Sequence, residues 1–198
     1  MSQLIETIKV TERQFQNIAF HNKRLNRSRK ELLGDNDSIE IEKEIVIPAD
    51  IGNGVYKCTV KYKHEIIDVK FQPYTIKKIE KLKLVIDNSI DYGYKFADRS
   101  VLSKLLEKRD GCDEIIIVKN GLMTDTSYSN LVFFDGKKWY TPNSPLLKGT
   151  KREKLLSEGK IEEEEINLQN IKRFEKVSLI NAMLDVENVV VSIENVIE

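Results

Sequence analysis

The chain is poor in the residues that usually announce cross-linking or metal chemistry: two cysteines, two histidines, four prolines and one tryptophan in 198 residues. Cys58 and Cys112 lie far apart with no CxxC or metal-type spacing. They are expected as reduced, buried thiols of a cytoplasmic protein rather than as a disulfide. His21 and His64 are too few and too isolated to suggest a metal site, and none is expected. Net charge is absent too, since 32 Lys+Arg balance 32 Asp+Glu. That removes the electrostatic case for a nucleic-acid or anionic-membrane partner. No apolar run approaches the ~20 residues of a membrane span, and the N-terminus has no signal-peptide core.

What is present suits an α+β fold of two small lobes with a substantial core. Leu4 to Val10 reads as a strand and Arg13 to Asn17 as a polar turn. Asn17 can cap a helix ending at Gly34, with Phe20, Leu25, Leu32 and Leu33 on its apolar side. Val55 to Lys63 and Glu65 to Tyr74 read as an antiparallel pair meeting near His64, and Lys77 to Ile86 alternates like a half-buried strand. Beyond Asp91 the character changes. Val101, Leu102, Leu105 and Leu106 recur at helical spacing up to the Asp110-Gly111 break, and Glu114 to Val118 is an apolar strand. Asn120-Gly121 and Asp135-Gly136 are hairpin signals, so a β-meander should carry Asp125 and Asn130 near its strand ends. Gly149 to Glu158 reads as a helix, Val177 to Ile180 and Val189 to Ile193 as strands, and the acidic run Glu162 to Glu165 as a solvated face or loop. A soft boundary near residues 88–94 divides a small N-terminal α+β lobe, 1–90, from a larger C-terminal lobe, 91–198.

Two residues stand out against the charged background. Lys95, in Tyr94-Lys95-Phe96-Ala97-Asp98-Arg99, precedes an amphipathic helix, where a lysine can form a Schiff base with an aldehyde cofactor. Asp125, in Met123-Thr124-Asp125-Thr126-Ser127-Tyr128-Ser129-Asn130-Leu131, follows a strand and can hold a pyridinium nitrogen protonated. Together they describe a seat for pyridoxal 5′-phosphate (PLP), whose ring acts as an electron sink.

The pair, with its flanks, resembles the fold-type IV PLP enzymes of the class IV aminotransferase family, and among them especially aminodeoxychorismate lyase. The lyase's Lys-x-x-Asn-Arg reads here Lys95-Phe96-Ala97-Asp98-Arg99. Its later signature is similar to Asp113-Glu114, Thr124-Asp125 and Asn130-Leu131-Val132. Tyr140-Thr141-Pro142 and Gly149-Thr150-Lys151-Arg152 resemble the family's Tyr-Thr-Pro and Gly-Ile-x-Arg. Upstream, Glu6-Thr7-Ile8-Lys9-Val10 and His21-Asn22-Lys23-Arg24-Leu25 resemble Glu-Thr-Ile-Arg-Val and His-x-x-Arg-Leu. The likeness covers almost the whole chain in the family's order, and implies a D-amino acid aminotransferase-like fold and a homodimer.

The resemblance also implies roles. Lys95 would hold the cofactor and move the substrate Cα proton, and Asp125 would pair with the pyridine nitrogen. Arg24 and the Gly149-Thr150-Lys151 turn at a helix start would bind the phosphate. Tyr128 and Ser129 would flank the ring, and Asn181-Ala182, in Leu179-Ile180-Asn181-Ala182, would face the carboxylate of an amino-acid-like substrate. Three departures stand against this. Asp125 replaces a glutamate and is one methylene shorter, Lys151 replaces a threonine, and the N-terminal stretch with a Gly-Asp-Gly turn has no counterpart, so the lobe's first strand should be missing. The reactions left open are pyruvate elimination from 4-amino-4-deoxychorismate to give 4-aminobenzoate, a branched-chain or D-amino acid transamination, and a cofactor-binding protein that has lost catalysis.

Overall fold

The computed structural model describes residues 3–198. Two compact units divide it: one runs through Thr75 and takes in Tyr94–Asp98, and the other comprises Ile76–Gly93 and Arg99–Glu198. This differs from a division at residues 1–90 and 91–198, for a reason that lies in strand pairing. The strand Leu82–Ile86 pairs with a strand beyond residue 110, so it belongs to the second unit.

In the first unit, strands β1 (Leu4–Thr11), β2 (Gln14–Phe15), β3 (Tyr56–Tyr62) and β4 (Ile66–Pro73) form an antiparallel sheet in the order β2-β1-β3-β4, with helices α1 (Ile18–Leu33) and α2 (Ile41–Glu44). Strand β1 alternates strictly, burying Leu4, Glu6, Ile8 and Val10 on one face, as a half-buried strand must. Leu4, Ile8 and Val10 form a core with Leu25, Ile41, Cys58, Val60 and Tyr62. Burial pushes the Cys58 thiol up to about 12, which makes it an inert core residue. The expected hairpin of β3 and β4 is present, Val60 opposite Val69 and Cys58 opposite Phe71.

Helix α1 departs from its expected face. Its buried residues are His21, Arg24, Leu25, Ser28 and Arg29, while Leu32 is exposed. The face is polar because it must answer the carboxylate of Glu6 on β1. Asn17 does occupy the N-cap position, but at φ 56 and with no side-chain cap bond; Gly34 closes the other end in the left-handed region as expected. Helix α2 carries no strong sequence signal at four residues.

In the second unit β5 (Leu82–Ile86), helix α3 (Ser100–Leu106) and β6 (Glu114–Lys119) make a parallel strand pair with a helix between, and β7 (Leu122–Met123) and β13 (Val196–Ile197) flank them in the order β13-β5-β6-β7. A second sheet takes β8 (Asn130–Phe134), β9 (Trp139–Pro142), β10 (Glu162–Glu164), β11 (Lys176–Ile180) and β12 (Val190–Ser192) in the order β10-β9-β8-β11-β12, with helix α4 (Thr150–Ser157). The Asn120-Gly121 turn is a true hairpin, both residues at positive φ (53° and 80°), with Val118 opposite Met123. That conformation suits asparagine and glycine and matches strand twist.

Two expectations in this unit need correction. The strand expected from Lys77 begins only at Leu82, because the Asp113 carboxylate takes the Glu80 and Lys81 amides and holds that stretch outside the ladder. The acidic run is a solvated face, with Glu162, Glu163 and Glu165 exposed, but it is not a loop: Glu162–Glu164 is a parallel strand on β9. Cations neutralise it, with Lys138 on Glu162, Arg152 on Glu163 and Arg173 on Glu164.

Strand β6 buries Ile115, Ile116, Ile117 and Val118 completely, and its parallel pairing is possible only with both faces covered. Replacing Ile116 by alanine leaves a cavity there. We expect it to lower stability by about 3 kcal/mol, read as a reduced urea midpoint for the second unit, with probes in the first unit little changed.

Candidate active site

The expected residues fall in both units, and each group has its own geometry. In the first, Lys95 is not on a strand but on an extended segment laid along β1. The Ile5 amide donates to the Lys95 carbonyl at 3.0 Å, Phe96 bridges Leu4, and the Ala97 amide donates to Gln3. The backbone of Lys95 is thereby fixed and its side chain half-buried.

Arg24 and His21, one helical turn apart, converge on Glu6. Arg24 donates through Nε to Oε1 (2.8 Å) and through Nη2 to Oε2 (2.6 Å), and His21 Nδ1 lies 2.6 Å from Oε2. All three side chains are buried. Burial alone would raise the Glu6 pKa, but the Arg24 guanidinium and the His21 hydrogen bond bring it down to about 2. The His21 pKa is lowered, first by burial and then by the charges of Arg24 and Lys95, against the pull of Glu6. A neutral His21 must carry its proton on Nδ1, because an ionised carboxylate only accepts. Lys95, His21 and Arg24 thus share one electrostatic neighbourhood. Arg24 grips Glu6 with two hydrogen bonds, which fix the guanidinium in one orientation.

In the second unit Asp125 is held on every side. Its carbonyl accepts from Ile117 of β6 at 2.8 Å, and it bridges Asn130 at the head of β8. Asn130 Nδ2 donates to Asp125 Oδ1 at 2.8 Å and to the Leu147 carbonyl at 2.8 Å, while the Leu147 amide donates to Asp125 Oδ2 at 2.9 Å. Burial raises the Asp125 pKa to about 7, against the Leu147 and Asn130 hydrogen bonds and the charge of Arg152. Among the described residues no ion pair is formed by Asp125. Neutral donors hold it, and a carboxyl group has room for further hydrogen bonds beyond these two.

Gly149 is the N-cap of α4, with no side-chain cap bond. Its need for glycine comes from Asn130: a Cβ at Gly149 would stand 2.0 Å from Asn130 Oδ1. Thr150 and Lys151 are buried in the first turn, the Lys151 ammonium paired with Asp185. Ser129, buried, accepts from Asn181 Nδ2 at 2.9 Å, so a residue expected on the cofactor side and one expected on the substrate side are joined directly. Asn181 Oδ1 accepts from Met183 and Leu184, shaping the turn that presents half-buried Ala182. Tyr128 is half-buried beside them. Arg99 donates to the Ser127 carbonyl. Sequence reasoning missed Glu6, Glu114 and Arg152 as site groups. The signal for the two glutamates was a carboxylate in the apolar register of a strand; for Arg152 it was the arginine of the Gly-Ile-x-Arg likeness. Among the described residues no cluster of His, Cys, Asp and Glu could hold a metal, and no helix is long and apolar enough to cross a membrane.

Two outcomes follow from the Asp125 and Asn130 geometry. A folded-state pKa raised to about 7 from an unfolded value near 3.9 means that the folded protein holds a proton the unfolded chain has lost. Stability therefore falls as pH rises through that window. In protein free of any ligand, Asp125→Asn should gain stability over wild type by about 2 kcal/mol between pH 5 and pH 8, measured by urea unfolding. An amide facing two donors adds a pH-independent offset, so the change with pH is the readout, and a flat difference would refute the burial argument. Gly149→Ala should destabilise by about 2 kcal/mol, and the loss should shrink in an Asn130→Ala background.

The chain matches the family model for amino-transferase class IV over residues 3–190. A Haemophilus influenzae protein of no stated function is 40% identical over 185 residues, covering 92% of this chain and 98% of the relative. A crystal structure from Haemophilus somnus 129PT, provisionally assigned as a 4-amino-4-deoxychorismate lyase, is 34% identical with a TM-score of 0.84, covering 92% of this chain and 97% of that one. A hypothetical Mycobacterium tuberculosis aminotransferase in its PLP-bound form is 14% identical, TM-score 0.77, over 98% of this chain and 81% of that one, and shows the shared fold alone. The two-unit α+β architecture is therefore that of the fold-type IV enzymes, and this chain, an enzyme, belongs to the PLP-dependent class IV aminotransferase family.

Proposed function

We propose that the enzyme binds PLP through Lys95 and eliminates pyruvate from 4-amino-4-deoxychorismate to give 4-aminobenzoate. The observation that carries the cofactor assignment is Asp125: a buried carboxyl held only by neutral donors, with its pKa raised to about 7. Such a group is completed by a pyridine N–H, because an ion pair relieves what burial opposes. When bound, PLP supplies a ring that accepts the electron pair released at the substrate Cα. Asp125 accepts the ring N–H and keeps that proton in place, and Asn130 and Leu147 fix the direction from which it does so. The shorter side chain is compatible with this, since the double anchoring to β6 and β8 sets its position.

Lys95 carries the amine that takes the Cα proton and returns one to the substrate. Its backbone anchor on β1 holds the amine's origin, and burial, aided by the charges of Arg24 and Lys95, lowers the His21 pKa. Phosphate oxygens are assigned to the first-turn amides of α4, where the macrodipole favours an anion, and to Arg24, whose orientation Glu6 fixes. The Ser129–Asn181 bond sets the turn at Ala182 that would orient the substrate carboxylate. The lyase reading over transamination is supported by Lys95-x-x-Asp98-Arg99 and by the 34% identity to the Haemophilus somnus structure.

The purified protein with PLP should absorb near the visible edge, and borohydride should fix the cofactor to the Lys95 peptide alone. Supplied with aminodeoxychorismate, it should release pyruvate and 4-aminobenzoate. Transfer of the amino group to a 2-oxo acid instead would establish the aminotransferase reaction, and labelling of any other lysine would overturn the Lys95 assignment. Asp125→Asn should lower kcat by orders of magnitude with modest loss of PLP affinity, while Asp125→Glu should keep or raise activity if the pocket admits one more methylene.

A further inference from the structure

Strand β6 begins with a carboxylate that no step above uses. Glu114 is 3% exposed and heads the fully buried run Ile115–Val118. Its partners are neutral: Oε1 accepts from the Ile115 amide at 2.9 Å and the Ser127 amide at 3.2 Å, and Oε2 from Ser127 Oγ at 2.8 Å. From the other end Arg99 donates to the Ser127 carbonyl. Every polar group of Ser127 is thus gripped, by residues 13 and 28 positions away. Burying a carboxylate against neutral donors is a poor route to stability, and an apolar side chain of similar volume usually does as well or better.

Packing does not replace this grip. A cavity of about 760 Å³ lies against the same turn, lined by Ser127, Tyr128, Arg99, Leu102, Cys112 and Glu114, so the turn lacks a dense apolar backing on that side. Within the turn Thr126 Oγ1 accepts from the Tyr128 and Ser129 amides at 3.2 and 2.9 Å, and the Thr126 amide donates to Ser129 at 2.8 Å. The turn is therefore one stiff unit whose placement depends on its attachment at Ser127. It carries Tyr128, and it carries Ser129 into its bond with Asn181.

We infer that Glu114 and Arg99 are a polar clamp of positioning residues: they set the Thr126–Ser129 turn and, through it, the placement of Tyr128, Ser129 and Asn181. The clamp explains the arginine of the Lys95-x-x-Asp98-Arg99 segment by a contact rather than by the substrate. Its effect on cofactor rests on the reading proposed above; its effect on the turn does not.

The test uses the full chain with PLP and the variants Glu114→Ala, Arg99→Met and Arg99→Lys. Amide hydrogen exchange at Ser127, Tyr128 and Ser129 should accelerate about tenfold or more in Glu114→Ala and Arg99→Met, the loss of one buried hydrogen bond, while Ile116 and Ile117 stay protected. The visible absorption of bound PLP should shift and its Kd should rise about tenfold, with Arg99→Lys restoring part of both. Unchanged exchange in the turn in both variants would overturn the clamp, as would protection lost equally along β5 and β6, the mark of a structural role alone. Should Glu114→Ala not fold, Arg99→Met decides by the same exchange measurement. A faster-exchanging turn with unaltered PLP spectrum and Kd would keep the clamp but remove its link to the cofactor. Failure of the wild-type protein to bind PLP at all would instead defeat the proposed function, with the exchange result still deciding the clamp.

Discussion

The amide of Asn130 is the constraint on which the second unit's chemistry depends. One side-chain nitrogen donates to both Asp125 and the Leu147 carbonyl, and the side-chain oxygen fills the space a Cβ of Gly149 would need. A strand end, a loop and the start of helix α4 are thereby fixed to one another by a single residue. Remove the glycine and the asparagine must move; move the asparagine and Asp125 loses the donor that aims it. Such close backbone approach is one of the few jobs for which glycine is required rather than tolerated.

Three buried carboxylates show how environment divides labour among chemically similar groups. Glu6 faces a guanidinium and a histidine, and is pulled down to about 2; it stays ionised and serves as an anchor for Arg24. Asp125 accepts hydrogen bonds from neutral donors, and burial carries it up to about 7. Glu114 spends its acceptors on one turn and on its own strand. The separation between Glu6 and Asp125 shows how surroundings assign distinct roles to acids of similar intrinsic strength.

Backbone anchoring complements this electrostatic arrangement. Lys95 sits on a segment hydrogen-bonded along β1, and Asp125 is pinned to β6 on one side and β8 on the other. Reactive side chains held by strand ladders are placed more reproducibly than side chains on unsupported loops. The Ser129–Asn181 bond extends the same economy: β8 and β11 are neighbours in the sheet, Asn130 opposite Ile180, so residues just beyond those positions meet without a dedicated connection.

How much was legible in the chain follows from the range of each interaction. Strand β1, the β3–β4 hairpin, the Asn120-Gly121 turn and helices α3 and α4 were readable because periodicity and turn chemistry are local. Motif order along the chain gave the family, and with it Lys95, Asp125 and the Gly149 turn as candidates. The sequence by itself could not say that the buried face of α1 would be polar, because that depends on Glu6 pointing inward from another strand. Nor could it make a strand of Glu162–Glu164, whose charges are answered by Lys138, Arg152 and Arg173 from elsewhere. The tertiary structure alone decided that Arg24 grips Glu6, that Asn130 is the reason for Gly149, and that Arg99 and Glu114 meet at Ser127. Each joins residues distant in the chain, where the free energy of a polar contact depends on burial and geometry that no local pattern encodes.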